Sequence, residues 1–263
     1  MRCPSCDFAW VPEGVLRMDS GVSIYEDATR ALFDDFADYY RDASADDAAQ
    51  AKLDWVTRFA SGGRLLDVGA NYGHFIRSAT SRFEAIGIEL SPQAVAWVQT
   101  HVPAPIQQAS IEDEREEFAG RFNAITMFDV IEHLENPRAA LQQCHRYLVA
   151  DGHLFLSTPD TGSAVPRLLG RSWYHYDLEQ HISLFSASNL QLLLEQCGFT
   201  VIERRTFGRR YRFSYVDRRL RDLGRESALF RAVHLAAFPL RLFPEWHIPL
   251  NLGDVIGLVV RAS

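Results

Sequence analysis

The chain is nearly devoid of lysine: of its 27 basic side chains, Lys52 alone is not arginine. A preference spread over the whole length marks coding bias before it marks a site. No apolar run reaches eighteen residues, which excludes a membrane-spanning helix by this criterion. A basic stretch followed by an apolar one, the mark of a secretory leader, is also missing, so a cytoplasmic location is expected. Four cysteines are too few and too scattered for a disulfide framework. Cys144 and Cys197 fall on segments that read as buried helix faces. Cys3-Pro4-Ser5-Cys6 has the spacing of half a zinc knuckle but lacks two ligands nearby. It reads either as a turn with two free thiols or as a site completed by distant residues or a second chain.

A formal net charge of -7 argues against general affinity for nucleic acid backbones. That average hides a gradient, with Asp34, Asp35, Asp38, Asp42, Asp46 and Asp47 early in the chain and arginines crowding its last sixty residues. Hydrophobic content of 47 % and charged content of 23 % are those of an ordinary globular protein. A chain of 263 residues accommodates one core with decorations.

Leu65-Leu66-Asp67-Val68-Gly69-Ala70-Asn71-Tyr72-Gly73 reads as a buried strand running into a glycine-punctuated turn and then a helix. Doubly wound α/β proteins hold nucleotide-like ligands at such turns. A dinucleotide fingerprint needs G-x-G-x-x-G, whereas here the pattern is Asp-x-Gly-x-x-x-Gly with no third glycine. The acidic group would repel a pyrophosphate and suits a cationic, hydroxyl-rich ligand. S-adenosylmethionine carries an ammonium, a sulfonium and a ribose. Glu89, about twenty residues on at the end of the next strand, is placed to accept hydrogen bonds from ribose hydroxyls.

Strands are expected near 65–68, 84–89, 105–109, 122–128, 152–158, 200–206 and 255–260. Helices are expected at 73–81, 92–101, 113–119, 137–149 and 186–197. Ser91-Pro92 and Asn136-Pro137 each set a capping side chain before a proline at the first helical position. This alternation predicts an α/β fold with a mostly parallel sheet covered on both faces. Two amphipathic helices precede it, with apolar positions from Ala28 to Tyr40 and from Ala48 to Phe59. The expected division is a segment 1–20 carrying the C-x-x-C, a helical cap 21–60, a core 61–207, a helical insertion 208–250 and a final core strand within 251–263. Within the insertion an arginine-rich helix (Arg218, Arg219, Arg221, Arg225) precedes an apolar run from Leu229 to Phe243. That run, 228–243, is readable as a lid, a homodimer face or a peripheral membrane contact.

Four stretches carry a more specific resemblance: Leu65 to Gly73, Ile86 to Pro92, Met127-Phe128-Asp129-Val130-Ile131-Glu132-His133-Leu134, and Gly152 to Asp160. In order and spacing they resemble the class I S-adenosylmethionine-dependent methyltransferases, and most of all the branch with ubiquinone-type O-methyltransferases and bacterial sugar or glycan methyltransferases. Gln180 to Ser186 and Asn251 to Asp254 are similar to glycan-associated members. The resemblance implies a Rossmann-like, doubly wound, seven-stranded sheet with one antiparallel strand. It also implies roles: Gly69, Ala70, Asn71 and Gly73 under the methionine moiety, Asp67 on its ammonium, Glu89 on the ribose, Leu90 on the adenine face, Ser110, Ile111 and Glu112 along the adenine edge, and Phe128 with Asp129 as the wall near the methyl group. Phe122-Asn123 departs from the family's frequent Phe-Asp and is expected to alter a surface hydrogen bond. Some relatives bind a divalent metal at an acidic-x-x-Glu-His cluster, which here implies Asp129, Glu132 and His133 with His181 from downstream.

Methyl transfer to oxygen needs alignment and removal of the acceptor's proton. A histidine titrates in the right range, so His133 and His181, then His175, are the candidate bases. The long stretch from Asp160 to Phe185 reads as a binding loop, in which Trp173, Tyr174 and Tyr176 suit a sugar face or an aromatic ring. The expected function is O-methylation of a small-molecule or glycan hydroxyl. Two other classes remain open: a non-catalytic S-adenosylmethionine-binding partner subunit, and a nicotinamide-dependent oxidoreductase, against which Asp67 and the glycine spacing speak. A nucleic acid methyltransferase is disfavoured by the acidity and by the missing Asn/Asp-Pro-Pro-aromatic motif.

Overall fold

The computed structural model describes residues 1, 3–5, 8–11, 43–176, 181–242 and 246–263. The first expected cap helix, Cys6 and Gln180 lie outside the described residues. A short strand β1 (Ala9–Trp10) precedes helix α1 (Ala43–Thr57). The core then runs β2 (Arg64–Val68), α2 (His74–Ala79), β3 (Glu84–Glu89), α3 (Pro92–His101), β4 (Ile106–Gln108), β5 (Phe122–Phe128), α4 (Pro137–Tyr147) and β6 (Leu148–Pro159). It continues through α5 (Ala164–Leu169), β7 (Ser183–Leu184), α6 (Ala187–Gln196) and β8 (Phe199–Thr206). After the insertion elements β9 (Arg209–Arg212), α7 (Phe213–Glu226), α8 (Ala228–Ala236) and β10 (His247–Leu250), the chain closes on β11 (Val255–Ala262).

Seven strands form one sheet in the order β4-β3-β2-β5-β6-β11-β8. β11 runs antiparallel to both β6 and β8, and the pairs from β4 to β6 are parallel. The order reverses direction between β2 and β5, so their carboxyl ends open a crevice there, the place where such sheets bind ligands. The central strands are apolar on both sides, with Leu65, Leu66, Ala124, Ile125, Leu154 and Leu156 fully buried, as a doubly covered parallel sheet requires.

The helix starts follow the expected chemistry. Ser91 Oγ accepts the Ala94 N–H at 3.2 Å, and Asn136 Oδ1 accepts the Ala139 N–H at 3.1 Å. Ser186 and Asn189 complete a reciprocal capping box at α6. Asn123, where the family often has aspartate, accepts the Arg64 N–H at 2.9 Å.

Two expectations need correction. The segment 113–119 is not a helix but a single 3-10 turn, Glu116–Phe118. Its like charges at helical spacing oppose a longer helix. Tertiary partners also claim the segment: the Arg115 N–H donates to Tyr147 Oη at 2.8 Å, and Glu114 and Glu116 pair with Arg146. Helix α4 stops at Tyr147 rather than 149, because Leu148 already pairs with Phe122 in the sheet.

Candidate active site

A cavity of about 690 Å³ lies at the carboxyl ends of β2, β3 and β5. Its walls include Asp67, Gly69, Ala70, Asn71, Glu89, Leu90, Ser110, Ile111, Glu112, Phe128 and Asp129. Eleven of the twelve cofactor positions expected from sequence thus meet in one place. The twelfth, Gly73, stands one turn back as the N-cap of α2 with φ 83°, where an added Cβ would sit 3.0 Å from Val98 Cγ2. It shapes the loop without lining it. Gly69 is tighter still: φ is 71° and a Cβ would fall 2.5 Å from Val130 Cγ2, so a side chain is excluded by conformation and by space.

Glu89 is held ready by the backbone. Its Oε2 accepts the Asn71 N–H and its Oε1 accepts the Ser91 N–H, both at 2.9 Å. Each oxygen keeps a second lone-pair site, so the carboxylate is oriented yet still able to accept from a diol. Asp67 is 3 % exposed and accepts the Thr126 hydroxyl at 2.7 Å. Burial pushes its pKa up to about 7, and Glu89 adds to the rise, while the Thr126 hydrogen bond and the charge of Lys52 oppose it. A buried carboxyl in that state gains most from a cationic ligand.

At the other end of the cavity, Asp129 adopts a left-handed backbone with φ 59°. Its N–H donates to the Ser157 carbonyl and its Oδ1 accepts the Ser157 hydroxyl, each at 2.9 Å. Such a conformation costs about 1 to 3 kcal/mol and is tolerated where neighbours enforce it. Lys52 Nζ reaches down from α1 to 3.5 Å from Asp129 Oδ2 and lies 4.6 Å from the centre of the Phe128 ring.

His133 lines the cavity. His181 sits behind it, ring centroids 4.8 Å apart in an edge-to-face arrangement. The Nδ1–H of His181 donates to the His175 carbonyl at 2.7 Å, so in the neutral ring the lone pair is on Nε2. Glu132, His133 and His181 bring ligand-type atoms within 4.8 Å of one another. Glu132 is 2 % exposed, and burial together with repulsion from Asp129 raises its pKa to about 7. Asp129 does not join this group, since its carboxylate is engaged by Ser157 and Lys52.

The expected substrate loop lies elsewhere. Trp173 is 1 % exposed and its indole N–H donates to Asp254 Oδ2 at 3.0 Å; the Tyr174 hydroxyl donates to the same oxygen at 2.7 Å. Tyr176 packs edge-on against Trp173 at 4.9 Å, and His175 is buried beside Trp173 and Tyr174. None of the four lines the cavity. Trp173 is therefore corrected from a binding-loop residue to an interior one, because one buried carboxylate satisfies two aromatic polar groups and lets the ring bury completely.

Sequence reasoning missed the cavity's opposite wall: Ala45, Ala48, Ala49 and Lys52 of α1, Ser157, and Phe207, Gly208 and Arg210 after β8. The three alanines recur at helical spacing and make a smooth face, the signal that was present. Trp55 fixes that helix over the site, packing within a cluster with Phe128, Phe155 and Phe207 and donating to Glu203 at 2.8 Å.

Residues 39–204 match the family model of the methyltransferase domain. Among curated proteins, the ubiquinone biosynthesis O-methyltransferase of Xanthomonas oryzae is 32 % identical over 144 residues, 48 % of this chain and 60 % of that protein. The one from Dechloromonas aromatica is 30 % identical over 115 residues, 41 % of this chain and 50 % of that protein. The matched stretches thus span only about half to three fifths of those relatives' length. Among solved structures, an S-adenosylmethionine-dependent methyltransferase from Archaeoglobus fulgidus shares the fold at TM-score 0.58 and 13 % identity, covering 86 % of this chain and 100 % of that one. Phosphoethanolamine N-methyltransferase 2 of Haemonchus contortus, solved with S-adenosylmethionine, does so at TM-score 0.55 and 18 % identity, covering 81 % of this chain and 52 % of that one. The fold and crevice define a Rossmann-like α/β protein with a ligand-sized cavity at the carboxyl ends of its parallel strands. The chain belongs to the methyltransferase-domain family.

Proposed function

We propose that the protein transfers the methyl group of S-adenosylmethionine to a hydroxyl of a small molecule or glycan. The observation that carries this reading is that His133 opens onto the cavity walled by Asp67, Glu89 and Asp129. Glu89 takes the ribose diol, Asp67 the ammonium, and Leu90 with Ser110 to Glu112 the adenine. In the reaction the acceptor oxygen attacks the methyl carbon in line, the carbon–sulfur bond breaks, and a neutral thioether leaves as S-adenosylhomocysteine. The acceptor's proton passes to His133, an imidazole base facing the cavity. The oxygen acceptor is supported by the curated relatives, which are named O-methyltransferases. A glycan is supported by the stretches 180–186 and 251–254.

Glu132, His133 and His181 also fit a divalent cation. Glu132 Oε2 is buried with no hydrogen-bond partner, and mixed oxygen and imidazole donors suit Mn²⁺, Mg²⁺ or Zn²⁺. A cation there would take the lone pair of His133 and, in place of His133 acting as base, would lower the acceptor hydroxyl's pKa as a Lewis acid.

Thermal shift with S-adenosylmethionine, S-adenosylhomocysteine and NADH, with and without chelator, tests the reading. Stabilisation by the two adenosyl ligands alone is expected. A shift with NADH and none with either of them defeats it, and indifference to chelator defeats the metal. Methyl transfer to a panel of phenolic and glycan hydroxyls then separates the enzyme from a non-catalytic binding subunit, which would bind the donor and methylate nothing.

A further inference from the structure

The insertion carries a surface that the methyl-transfer site does not use. Helix α8 has no buried residue, although seven of its nine positions are Ala, Leu, Phe or Val. Leu229, Val233 and Leu235 stand exposed on it, followed by Phe238 and Leu242 and, across the hairpin, Trp246. Leu242, at 80 % exposure, is more open than any other large apolar side chain among the described residues. An apolar helix of this kind is stable only against something that removes it from water.

Charge says what that is. Residues 209–242 hold nine arginines against three acids, Asp217, Asp222 and Glu226. That is a surplus of six positive charges in a chain of formal net charge -7, so the remainder carries -13. Between Ser227 and Leu242 there is no acid at all, and the ionisable groups are Arg231, His234 and Arg241. Arg218, Arg221, Arg225 and Arg231 are exposed. Two copies of this face brought together would set one cationic surplus against another. Asp217 is buried and pairs with Arg221, His234 and Arg241, while exposed leucine and aromatic side chains flanked by arginine match the headgroup boundary of an anionic bilayer.

We propose that α8 and the following turn, Phe238–Leu242, dock on the surface of an anionic lipid membrane, with Leu229, Leu235, Phe238 and Leu242 entering the headgroup boundary and the arginines of α7 and α8 on the phosphates. The chain connects the docking surface to the cavity wall: α7 follows directly on β9, whose Arg210 lines the cavity, and the Phe213 N–H donates to the Trp246 carbonyl at 2.7 Å. On the methyl-transfer reading above, this places the acceptor among amphiphiles that a membrane presents.

Flotation of the full chain with vesicles tests it. Phosphatidylcholine vesicles containing phosphatidylglycerol are compared with phosphatidylcholine alone, at low and high salt. Expected are binding to the anionic vesicles, at least about tenfold weaker binding to the neutral ones, and loss of most binding in about 0.5 M salt. Leu235→Ser with Phe238→Ser, and separately Arg218→Gln with Arg225→Gln, should each lower binding about tenfold or more. Both variants should keep the wild-type thermal shift with S-adenosylhomocysteine, which shows that they are folded and reports on the cofactor site separately. No binding of the wild type to anionic vesicles overturns the proposal, and so does equal binding to neutral ones. It is equally overturned by a dimer in light scattering that Phe238→Ser dissociates, which would assign the surface to a second copy.

Discussion

Replacing Asp67 with asparagine should make the ligand-free protein more stable and the ligand site useless. The wild-type carboxyl is lifted from 3.8 to about 7 by burial. The folded state therefore holds a proton between those pH values that the unfolded chain has lost, so stability falls as pH rises through this window. Three units correspond to about 4 kcal/mol once pH exceeds 7, an upper figure for a site that can relax. Asparagine keeps the shape and an oxygen for the Thr126 hydroxyl, which Asp67 accepts at 2.7 Å, but forfeits the charge assistance, worth about 1 to 2 kcal/mol. A net gain of about 2 to 3 kcal/mol is left at pH 8. For a chain of this size that is about 5 to 10 °C in melting temperature. At pH 5 most of the gain disappears, because wild-type Asp67 is then protonated in the folded state. S-adenosylhomocysteine should stabilise the wild type and leave Asp67→Asn unmoved, since the neutral amide offers its ammonium no counter-charge. Below pH 7 the wild-type affinity should drop by up to about tenfold per pH unit, as the ligand must displace a proton. Thermal melts at pH 5 and pH 8, with and without the ligand, measure all of this. A variant no more stable than wild type at pH 8, a gain equal at both pH values, or a retained ligand shift would refute the reasoning.

Glu89→Gln keeps only one acceptor oxygen for the two backbone donors of Asn71 and Ser91, and calorimetry should show a loss of S-adenosylhomocysteine affinity of about 10- to 100-fold. Gly69→Ala forces a left-handed alanine against Val130; a drop of at least about 1 to 2 kcal/mol in denaturant unfolding is expected, with loss of ligand binding. His133→Gln should lower methyl transfer by about 10²- to 10⁴-fold with donor affinity little changed, which single-turnover rates and calorimetry separate. Trp173→Phe removes the hydrogen bond to Asp254 and should cost about 1 to 3 kcal/mol in urea unfolding; a rise in the acceptor's KM with stability unchanged would return this loop to the binding surface.

Local signals carried most of the core. The apolar runs at 65–68, 122–128 and 152–158 had to be buried strands, and Ser91-Pro92 and Asn136-Pro137 had to start helices, because caps and periodicity act within a few residues. The acid at the strand end, the glycine turn and Glu89 were legible for the same reason: each answers a requirement of its own backbone position. The segment 113–119 was not, since its fate rests on Tyr147 and Arg146, about thirty residues away. Trp173 was misread because nothing near it in sequence announces Asp254, which lies 81 residues on.

By itself, then, the sequence determined the alternating α/β plan and the acid, glycine turn and Glu89 that wall the cavity, which follow from short-range stereochemistry and from hydrophobic patterning that repeats along the chain; the other expected cofactor positions were implied by the family resemblance. The tertiary structure decided the half that long-range packing assembles. It set α1 over the crevice with Lys52 on Asp129, put His181 behind His133, turned the aromatic loop inward onto Asp254, and left α8 facing outward, because which faces meet depends on contacts between segments whose sequences carry no record of one another.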